Sequence, residues 1–271
     1  MERSEVRGSQ KQSLATRDRV AEAAGALECR AVRALVVLPT YDEAANIEEV
    51  LRRLRDACPS VSVLVVDDGS PDGTADIAEA MDEEIGAVEV MRRPAKSGLG
   101  SAYRDGFRHG LLNGFDVLVE MDSDLQHDPA ALPSLLAAVE GGAELAIGSR
   151  YVPGGSIPDW TWHRRALSKW GNRYAAAVLG IGVRDATSGF RAYSAPALAK
   201  IDFQTVRADG YGFQIEMAHR VLQTGGRVEE VPIKFGDRVR GTSKMSSRIV
   251  VEALVLVSWW GLRDRVLRFR R

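Results

Sequence analysis

Short apolar segments alternate with helical segments along most of this chain, and this alternation restricts its fold more than any other feature. Residues 35–38, 61–66 and 117–121 are apolar runs built largely of valine and leucine. Between the first two runs, residues 44–58 place their apolar side chains at helical spacing. Apolar strands joined by helices predict an α/β domain of Rossmann-like character, with a mainly parallel twisted sheet and helices on both faces.

Polar residues stand directly after these three apolar runs. They occupy positions 39–43, 67–72 and 122–127, and each group contains at least two acidic residues. The carboxyl ends of parallel strands meet at one edge of a sheet, and ligands of such sheets bind beyond that edge. The sequence therefore predicts an acidic ligand site where these three groups converge.

The 271 residues suit one folded domain with short additions at its ends. Residues 1–33 lack the apolar core of a signal peptide and are predicted to be a disordered tail. Residues 34–244 form the predicted domain, and residues 245–271 a basic amphipathic helix. The two cysteines form no CxxC pair, which favours a reducing compartment. A net charge of -1 gives no bulk attraction to nucleic acid, so no nucleic-acid partner is expected.

Asp122 and Asp124 are candidate metal ligands. Two carboxylates that are two residues apart in a turn can converge on one hard cation, and Gln126 could add a neutral oxygen. The alternative is that these acidic residues only cap the helix that begins at Pro129. The other acidic strand ends favour the metal site.

Asp68 is a candidate nucleotide-binding residue, because a carboxylate at a strand end can accept hydrogen bonds from a ribose or a base. The alternative is an ordinary turn built from Asp, Gly and Pro residues at positions 67–73. Gly98 and Gly100 form a second glycine-rich turn before a predicted helix, and this signal is weak by itself.

Six motifs follow one another in the segment from residue 34 to residue 244. They read PTYDEAANI at 39–47, VVDDGSPDGT at 65–74, DSDLQHD at 122–128, GSRY at 148–151, SGFR at 188–191 and FGDRVRGTSK at 235–244. In this order they resemble family 2 of the inverting glycosyltransferases, which have the GT-A fold. Within that family they resemble the dolichol- and polyprenol-phosphate mannosyltransferases. Ser123 and Asp128 depart from the usual residues of that branch, which are Ala and Pro.

The resemblance implies a metal-dependent enzyme that transfers mannose from GDP-mannose to a polyprenyl phosphate. The positions that match its nucleotide-sugar site are Pro39, Tyr41, Glu43, Val66, Asp68, Asp122, Ser123 and Asp124. It implies Mg²⁺ or Mn²⁺ on Asp122, Asp124 and Gln126. The positions that match its phosphate-handling residues are Arg150, Arg164, Ser168, Arg238 and Lys244, and the catalytic set is Asp122, Asp124, Arg150, Arg238 and Lys244.

The chemistry of these substrates needs no obvious general base. A phosphate monoester is already anionic near neutral pH, so its oxygen can attack the anomeric carbon directly. In-line attack would invert that carbon and give a β-linked product from an α-linked donor. The basic loop at positions 237–244 is predicted to close over the bound phosphates.

The last helix predicts contact with the cytoplasmic face of the cell membrane. Residues 249–262 are too short an apolar stretch for a membrane span and contain Glu252. Trp259 and Trp260, followed by arginines, are typical of an interfacial anchor. The alternative is a helix that packs in the core or in a dimer. Trp160, Trp162 and the predicted helix at 163–179 are candidates for a second lipid-facing surface or for packing, and a membrane-embedded partner protein is a further alternative.

Three other functions fit parts of the sequence. A transferase of glucose from UDP-glucose to polyprenyl phosphate would keep the same chemistry with another donor. A polysaccharide-forming transferase with a hydroxyl acceptor would need a general base and usually a long membrane domain, and neither is evident. A nucleotide-sugar sensor without catalysis would not need the Asp122 and Asp124 pair together with the basic loop.

Overall fold

A computed structural model describes residues 32–236 and 247–269, with side chains from Val250 to Val266 in the last helix. Most of the predicted tail lies outside the described residues, including residues 18–24, whose sequence also predicts a short helix. The whole of the predicted basic loop lies outside them as well, including Arg238 and Lys244.

Strands and helices alternate through the first half of the described chain, as the apolar runs predict. The elements are β1 (Ala34–Thr40), α1 (Ile47–Ala57), β2 (Ser62–Asp67), α2 (Thr74–Ile85), β3 (Val88–Arg92), α3 (Leu99–Leu112), β4 (Val117–Glu120), a 3₁₀ turn (Pro129–Ala131), α4 (Leu132–Glu140) and β5 (Leu145–Ser149). The predicted elements of this half are confirmed, with ends that differ by a few residues.

The second half contains longer connections and more helix. Its elements are α5 (Trp162–Leu179), β6 (Arg191–Ser194), α6 (Ala195–Lys200), a 3₁₀ turn (Phe203–Thr205), α7 (Gly210–Gln223), β7 (Val228–Pro232) and α8 (Ser247–Phe269). The sequence at residues 227–235 predicts a strand, and β7 is shorter than this segment. After Pro232 only isolated bridges continue it, one of which pairs Phe235 with His127.

In the described part of the chain, seven strands form one sheet in the order β3-β2-β1-β4-β6-β5-β7. Strands β1 to β4 are mutually parallel, and β7 is parallel to β5. Strand β6 runs antiparallel to both of its neighbours, β4 and β5. The mainly parallel sheet is therefore confirmed, with one reversed strand in its middle.

Strand β6 was not predicted, because its sequence Arg-Ala-Tyr-Ser begins with a charged residue. Arg191 is nevertheless fully buried. Its guanidinium donates hydrogen bonds of 2.6–2.7 Å to the backbone oxygens of Ala186, Ser188 and Gln214. These bonds satisfy the buried charge, so an arginine can occupy a position that composition alone would assign to the surface.

The apolar strands are buried on both faces, which explains their continuous apolar sequences. In β1, Leu35 and Val37 join the core on one face, whereas Val36 and Leu38 join the core on the other. Helix α3 covers the first face, and its Gly106 lies so close to β1 that a Cβ there would be 2.4 Å from Val37 Cγ1. This close approach brings the beginning of α3 to the edge where the polar groups collect.

Helix α8 packs against α5 and α7, and this contact divides its apolar side chains into two groups. Ala253, Val257 and Trp260 are buried. The hydroxyl groups of Tyr174 in α5 and Ser258 in α8 are 2.7 Å apart and share a hydrogen bond. Among the helices in the described part of the chain, none combines the length and the hydropathy that a membrane span requires.

Candidate functional site

The polar groups after β1, β2 and β4 are joined by hydrogen bonds at one edge of the sheet. Ser123 Oγ donates to the backbone oxygen of Pro39 at 3.0 Å. Thr40 Oγ1 donates to Asp67 Oδ1 at 2.8 Å, which connects the ends of β1 and β2. The predicted convergence of these groups is therefore confirmed.

A cavity of about 560 Å³ opens above this edge. The predicted residues that line it are Pro39, Tyr41, Glu43, Asp68, Asp122, Ser123, Asp124, Gln126, Arg150 and Arg164. Val66 does not line it, because its side chain is fully buried in the core. Ser168 lines an adjoining groove instead, where its hydroxyl accepts a 2.7 Å hydrogen bond from Tyr151.

The turn after β4 presents Asp122 and Asp124 to this cavity. Leu125, the residue after the pair, adopts a left-handed conformation with φ 64°, which is uncommon for a bulky side chain and marks a constrained turn. Asp124 Oδ1 accepts the Gln126 backbone N–H at 3.1 Å, and Gln126 Nε2 donates to the Gly236 oxygen at 3.2 Å. The amide oxygen of Gln126 is therefore the atom that this residue has left to offer a cation.

His127 stabilises the same turn from its buried side. Its Nδ1 accepts the Asp122 backbone N–H at 3.2 Å, and its ring lies against Phe190 and Phe235. Burial lowers the pKa of His127 to about 4. The imidazole is therefore neutral near pH 7, as its role as hydrogen-bond acceptor requires.

The donor set of this turn fits a hard divalent cation. Asp122 and Asp124 both face the cavity, and carboxylate and amide oxygens are the ligands that Mg²⁺ and Mn²⁺ prefer. Within residues 32–236 and 247–269, no cluster of three or more histidine, cysteine or acidic side chains could hold a metal ion. A cation on this pair would therefore need oxygens from Gln126, water and the phosphates of a substrate.

The same cavity contains the predicted nucleoside residues that follow β1 and β2. Lys96 Nζ lies 4.0 Å from the centre of the Tyr41 ring, and both residues line the cavity. Glu43 accepts a 2.8 Å hydrogen bond from Asn46 Nδ2. Asp68 accepts the Ser97 backbone N–H at 3.1 Å and lies 2.9 Å from Arg93 Nη1, an ion pair that fixes its carboxylate.

Arg150 is buried beside the cavity in an ion pair with Asp185. Its Nε and Nη2 each donate a 2.7 Å hydrogen bond to this carboxylate, and Nη2 also donates to Thr187 Oγ1. Burial alone would raise the pKa of Asp185, but the charge and hydrogen bonds of Arg150 lower it below its usual range. Arg150 therefore has a structural role in addition to the phosphate contact predicted for it.

An apolar groove of about 330 Å³ joins the cavity between α5 and α8. The apolar side chains that line it include Leu167, Trp170, Ala253, Leu254 and Val257. Four residues border both spaces, and they define the junction: Trp160, Arg164, Thr187 and Tyr211. The site therefore combines an acidic cavity with an apolar channel, and Arg164 is the cation between them.

The contribution of α7 was not predicted from the sequence. Its N-cap residue Asp209 and, from its first turns, Tyr211 and Gln214 line the cavity. Asp209 Oδ1 accepts the Gly100 backbone N–H at 2.9 Å, and a Cβ on Gly98 would lie 2.7 Å from Asp209 Oδ2. The glycine-rich turn before α3 was the one sign of this contact in the sequence. Because Gly98 and Gly100 have no Cβ, the turn leaves room for the Asp209 carboxylate.

A family model described as glycosyl transferase family 2 matches residues 35–202. A polyprenol monophosphomannose synthase from Mycolicibacterium smegmatis is 49% identical over 88% of this chain and 90% of its own. An undecaprenyl-phosphate mannosyltransferase from Micrococcus luteus is 49% identical over 86% of this chain and 96% of its own. A dolichol-phosphate mannosyltransferase from Pyrococcus furiosus is 36% identical over 86% of this chain and 66% of its own.

Solved structures agree on the fold. Glucosyl-3-phosphoglycerate synthase from Mycobacterium tuberculosis, in complex with Mn²⁺, UDP and glucosyl-3-phosphoglycerate, superposes with a TM-score of 0.61. The superposition covers 84% of this chain and 79% of the other at 22% identity. At this identity the likeness establishes the fold alone, and it confirms the predicted GT-A architecture.

Proposed function

Because the chain belongs to glycosyl transferase family 2 and is a glycosyltransferase, we propose that it transfers mannose from GDP-mannose to a polyprenyl phosphate. The observation that carries this proposal is the apolar groove that joins the acidic cavity at Arg164. An acceptor with an anionic head and a long apolar chain needs these two environments side by side. The names of the two relatives at 49% identity support the same acceptor class and the same sugar.

We place the donor in the acidic cavity. Its nucleoside would lie at Tyr41, Glu43 and Asp68, and its diphosphate at Asp122 and Asp124. A divalent cation, Mg²⁺ or Mn²⁺, held there would stabilise the negative charge on the leaving diphosphate. The carboxylates and Gln126 would hold this cation, while Ser123 keeps the turn attached to β1 through its hydrogen bond to Pro39.

The acceptor phosphate would lie at the junction, where Arg164 is exposed to both spaces. Arg150, which directly follows β5, and Ser168 of α5 would contribute, together with Arg238 and Lys244 from the predicted loop. Guanidinium groups orient a phosphate through paired N–H donors. One phosphate oxygen would then attack the anomeric carbon, the bond to the diphosphate would break, and inversion would give a β-linked product.

We further propose that the enzyme rests on the cytoplasmic face of the membrane. Helices α5 and α8 expose large apolar side chains beside the groove: Trp162, Leu167, Trp170, Val251, Val255, Trp259, Leu262 and Val266. The five residues of α8 are spaced three or four apart, so they form one stripe along the helix. A membrane beneath this stripe would supply the lipid acceptor directly to the groove, and a membrane-embedded partner protein is the other occupant that an experiment should test.

The first experiment measures transfer of labelled mannose from GDP-mannose to polyprenyl phosphate in detergent, with MgCl₂ present. We expect label in the organic phase and none after EDTA treatment. Asp124→Ala should lower turnover ~100-fold or more, because charge stabilisation at the leaving group is lost. Asp128→Ala is the matched control and should retain turnover, since Asp128 is exposed and accepts the Ala130 backbone N–H at the next turn.

Two outcomes would contradict the proposal. Label transferred from UDP-glucose but not from GDP-mannose would refute GDP-mannose as the donor. An α-linked product, identified by NMR of the released lipid-linked sugar, would refute the inverting mechanism.

A further inference from the structure

Two guanidinium groups meet at the indole ring of Trp160. Arg164 Cζ lies 3.8 Å from the ring centre and Arg150 Cζ lies 5.6 Å from it. Trp160 is only 5% exposed, and Phe235 packs edge-on against it with ring centres 5.7 Å apart. The ring therefore has a fixed position, and the two arginines predicted to handle phosphate lie within range of its π-system.

An aromatic ring is a suitable support for two like charges. The negative face of an indole attracts cations, and among aromatic side chains it does so most strongly. Arg150 is neutralised by Asp185 at 2.7 Å, so its orientation is set within the protein. Arg164 extends from the first turn of α5, a position where a long side chain has many rotamers, and contact with the indole restricts them.

Packing alone does not explain why this residue is a tryptophan. Trp160 Nε1 is buried and has no hydrogen-bond partner in the described structure. A buried donor without a partner destabilises the folded state, so a phenylalanine would fill the same apolar pocket with less penalty. The larger π-surface of the indole, in contact with Arg164, is the gain that offsets this cost.

We propose that Trp160 is a positioning residue for the acceptor phosphate, which holds the Arg164 guanidinium at the junction of the acidic cavity and the apolar groove. The inference rests on the proposed function, since it takes the acceptor to be a phosphate monoester on an apolar chain. The groove accommodates the chain, Arg164 binds the phosphate, and the indole fixes the distance between the two.

The test is steady-state kinetics with GDP-mannose and polyprenyl phosphate on three single variants. Trp160→Leu should raise the KM for polyprenyl phosphate about fivefold, the effect of losing one cation–π contact with an exposed guanidinium, and leave the KM for GDP-mannose unchanged. Trp160→Phe keeps an aromatic face and should restore the KM to within about twofold of wild type. Arg173→Gln removes a charge from the exposed side of the same helix and is the control that should change neither KM.

A double-mutant cycle shows whether Trp160 acts through Arg164. If it does, Trp160→Leu should change the acceptor KM less than twofold in an Arg164→Gln background, because the contact is already absent. Independent, additive effects would overturn the proposal, as would equal increases in both KM values or equal defects in Trp160→Leu and Trp160→Phe. A wild-type enzyme that transfers no mannose would refute the proposed function, whereas an active wild type with an unimpaired Trp160→Leu variant refutes only the role of Trp160.

Discussion

The carboxylate of Asp185 holds Arg150 in place in the interior of the site. It accepts two guanidinium hydrogen bonds and the backbone N–H of Arg150, the last at 2.9 Å. Both side chains are buried, so neither charge can be compensated by water. Breaking a buried ion pair by removing one partner leaves an unpaired charge, which costs more than the pair itself contributes.

Asp185→Asn should therefore lower the free energy of unfolding by ~3–5 kcal/mol. Glu49→Gln, which breaks the exposed pair with Arg53, is the control and should cost less than about 1 kcal/mol. Urea denaturation of both variants checks the difference. A loss for Asp185→Asn no larger than that of the control would mean that Arg150 finds another partner.

The same pair has a defined dependence on pH. The folded state lowers the pKa of Asp185 below its ordinary value of 3.8. The stabilisation is therefore complete above the unfolded pKa and is lost only as the pH falls below 3.8 through the folded value. The stability difference between wild type and Asp185→Asn should stay constant from pH 8 to about 5, in the same denaturation experiment.

Single residues also show where reasoning from sequence succeeds. Asp122 and Asp124 were predictable because a local signal, two acids after an apolar strand, marks their position. Asp209 and Gln214 carry no such signal, since α7 reaches the cavity only through tertiary packing. Trp160 and Trp162 illustrate the same limit. The first is buried and the second is 77% exposed, although the sequence around them does not distinguish the two.

At the scale of elements, α3 contains glycines that helix propensity alone would mark as unfavourable but that packing requires. Gly106 and Gly110 interrupt a helix interior, where glycine is about 1 kcal/mol less favourable than alanine. Both face the sheet, and a Cβ on Gly110 would lie 2.2 Å from Leu118 Cδ1. The low helix propensity of these two glycines is offset by the close packing of α3 on β1 and β4.

Gly106→Ala should consequently destabilise the protein by ~1–3 kcal/mol, the usual penalty of overpacking, despite the better propensity of alanine. Gly171→Ala in α5 is the matched control, because a Cβ on Gly171 would meet no heavy atom within 4 Å. That variant should be neutral or up to about 1 kcal/mol more stable. Thermal unfolding of both variants provides the measurement. A shift of Tm in the same direction for the two substitutions would contradict the overpacking at Gly106.

Strand β6 is the element that sequence reasoning could not supply. It has four residues, and its leading arginine is buried by contacts with backbone oxygens from the loop before it and from α7. Those contacts join segments that are distant in sequence. Strands β1, β2 and β4, by contrast, are largely apolar and could be predicted one by one.

At the scale of the whole molecule, the exposed stripe of α8 and the apolar groove lie on adjoining surfaces. Val255 and Trp259 belong to the stripe, whereas Leu254 and Val257 line the groove. Arg263 and Arg265 follow on the exposed side of the same helix. Apolar side chains next to arginines favour a surface of anionic lipid over a neutral one.

A variant with both Val255→Glu and Trp259→Glu should bind vesicles of phosphatidylglycerol and phosphatidylcholine at least about tenfold more weakly than wild type. The reason is that two apolar contacts with the bilayer are replaced by charges that anionic lipid repels. Leu112→Glu, which changes an exposed leucine on α3, is the control and should bind normally. Vesicle flotation provides the measurement, and normal flotation of the double variant would favour a protein partner over the bilayer.

All five tryptophans of the chain belong to α5, α8 or the segment just before α5. Trp160 and Trp260 are buried, whereas Trp162, Trp170 and Trp259 are exposed on the stripe and around the groove. The tryptophan fluorescence of the protein is thus confined to the side that is expected to meet lipid. Three of its five emitters would pass from water into a less polar medium on contact, so a blue shift of emission can report docking in real time without any added label.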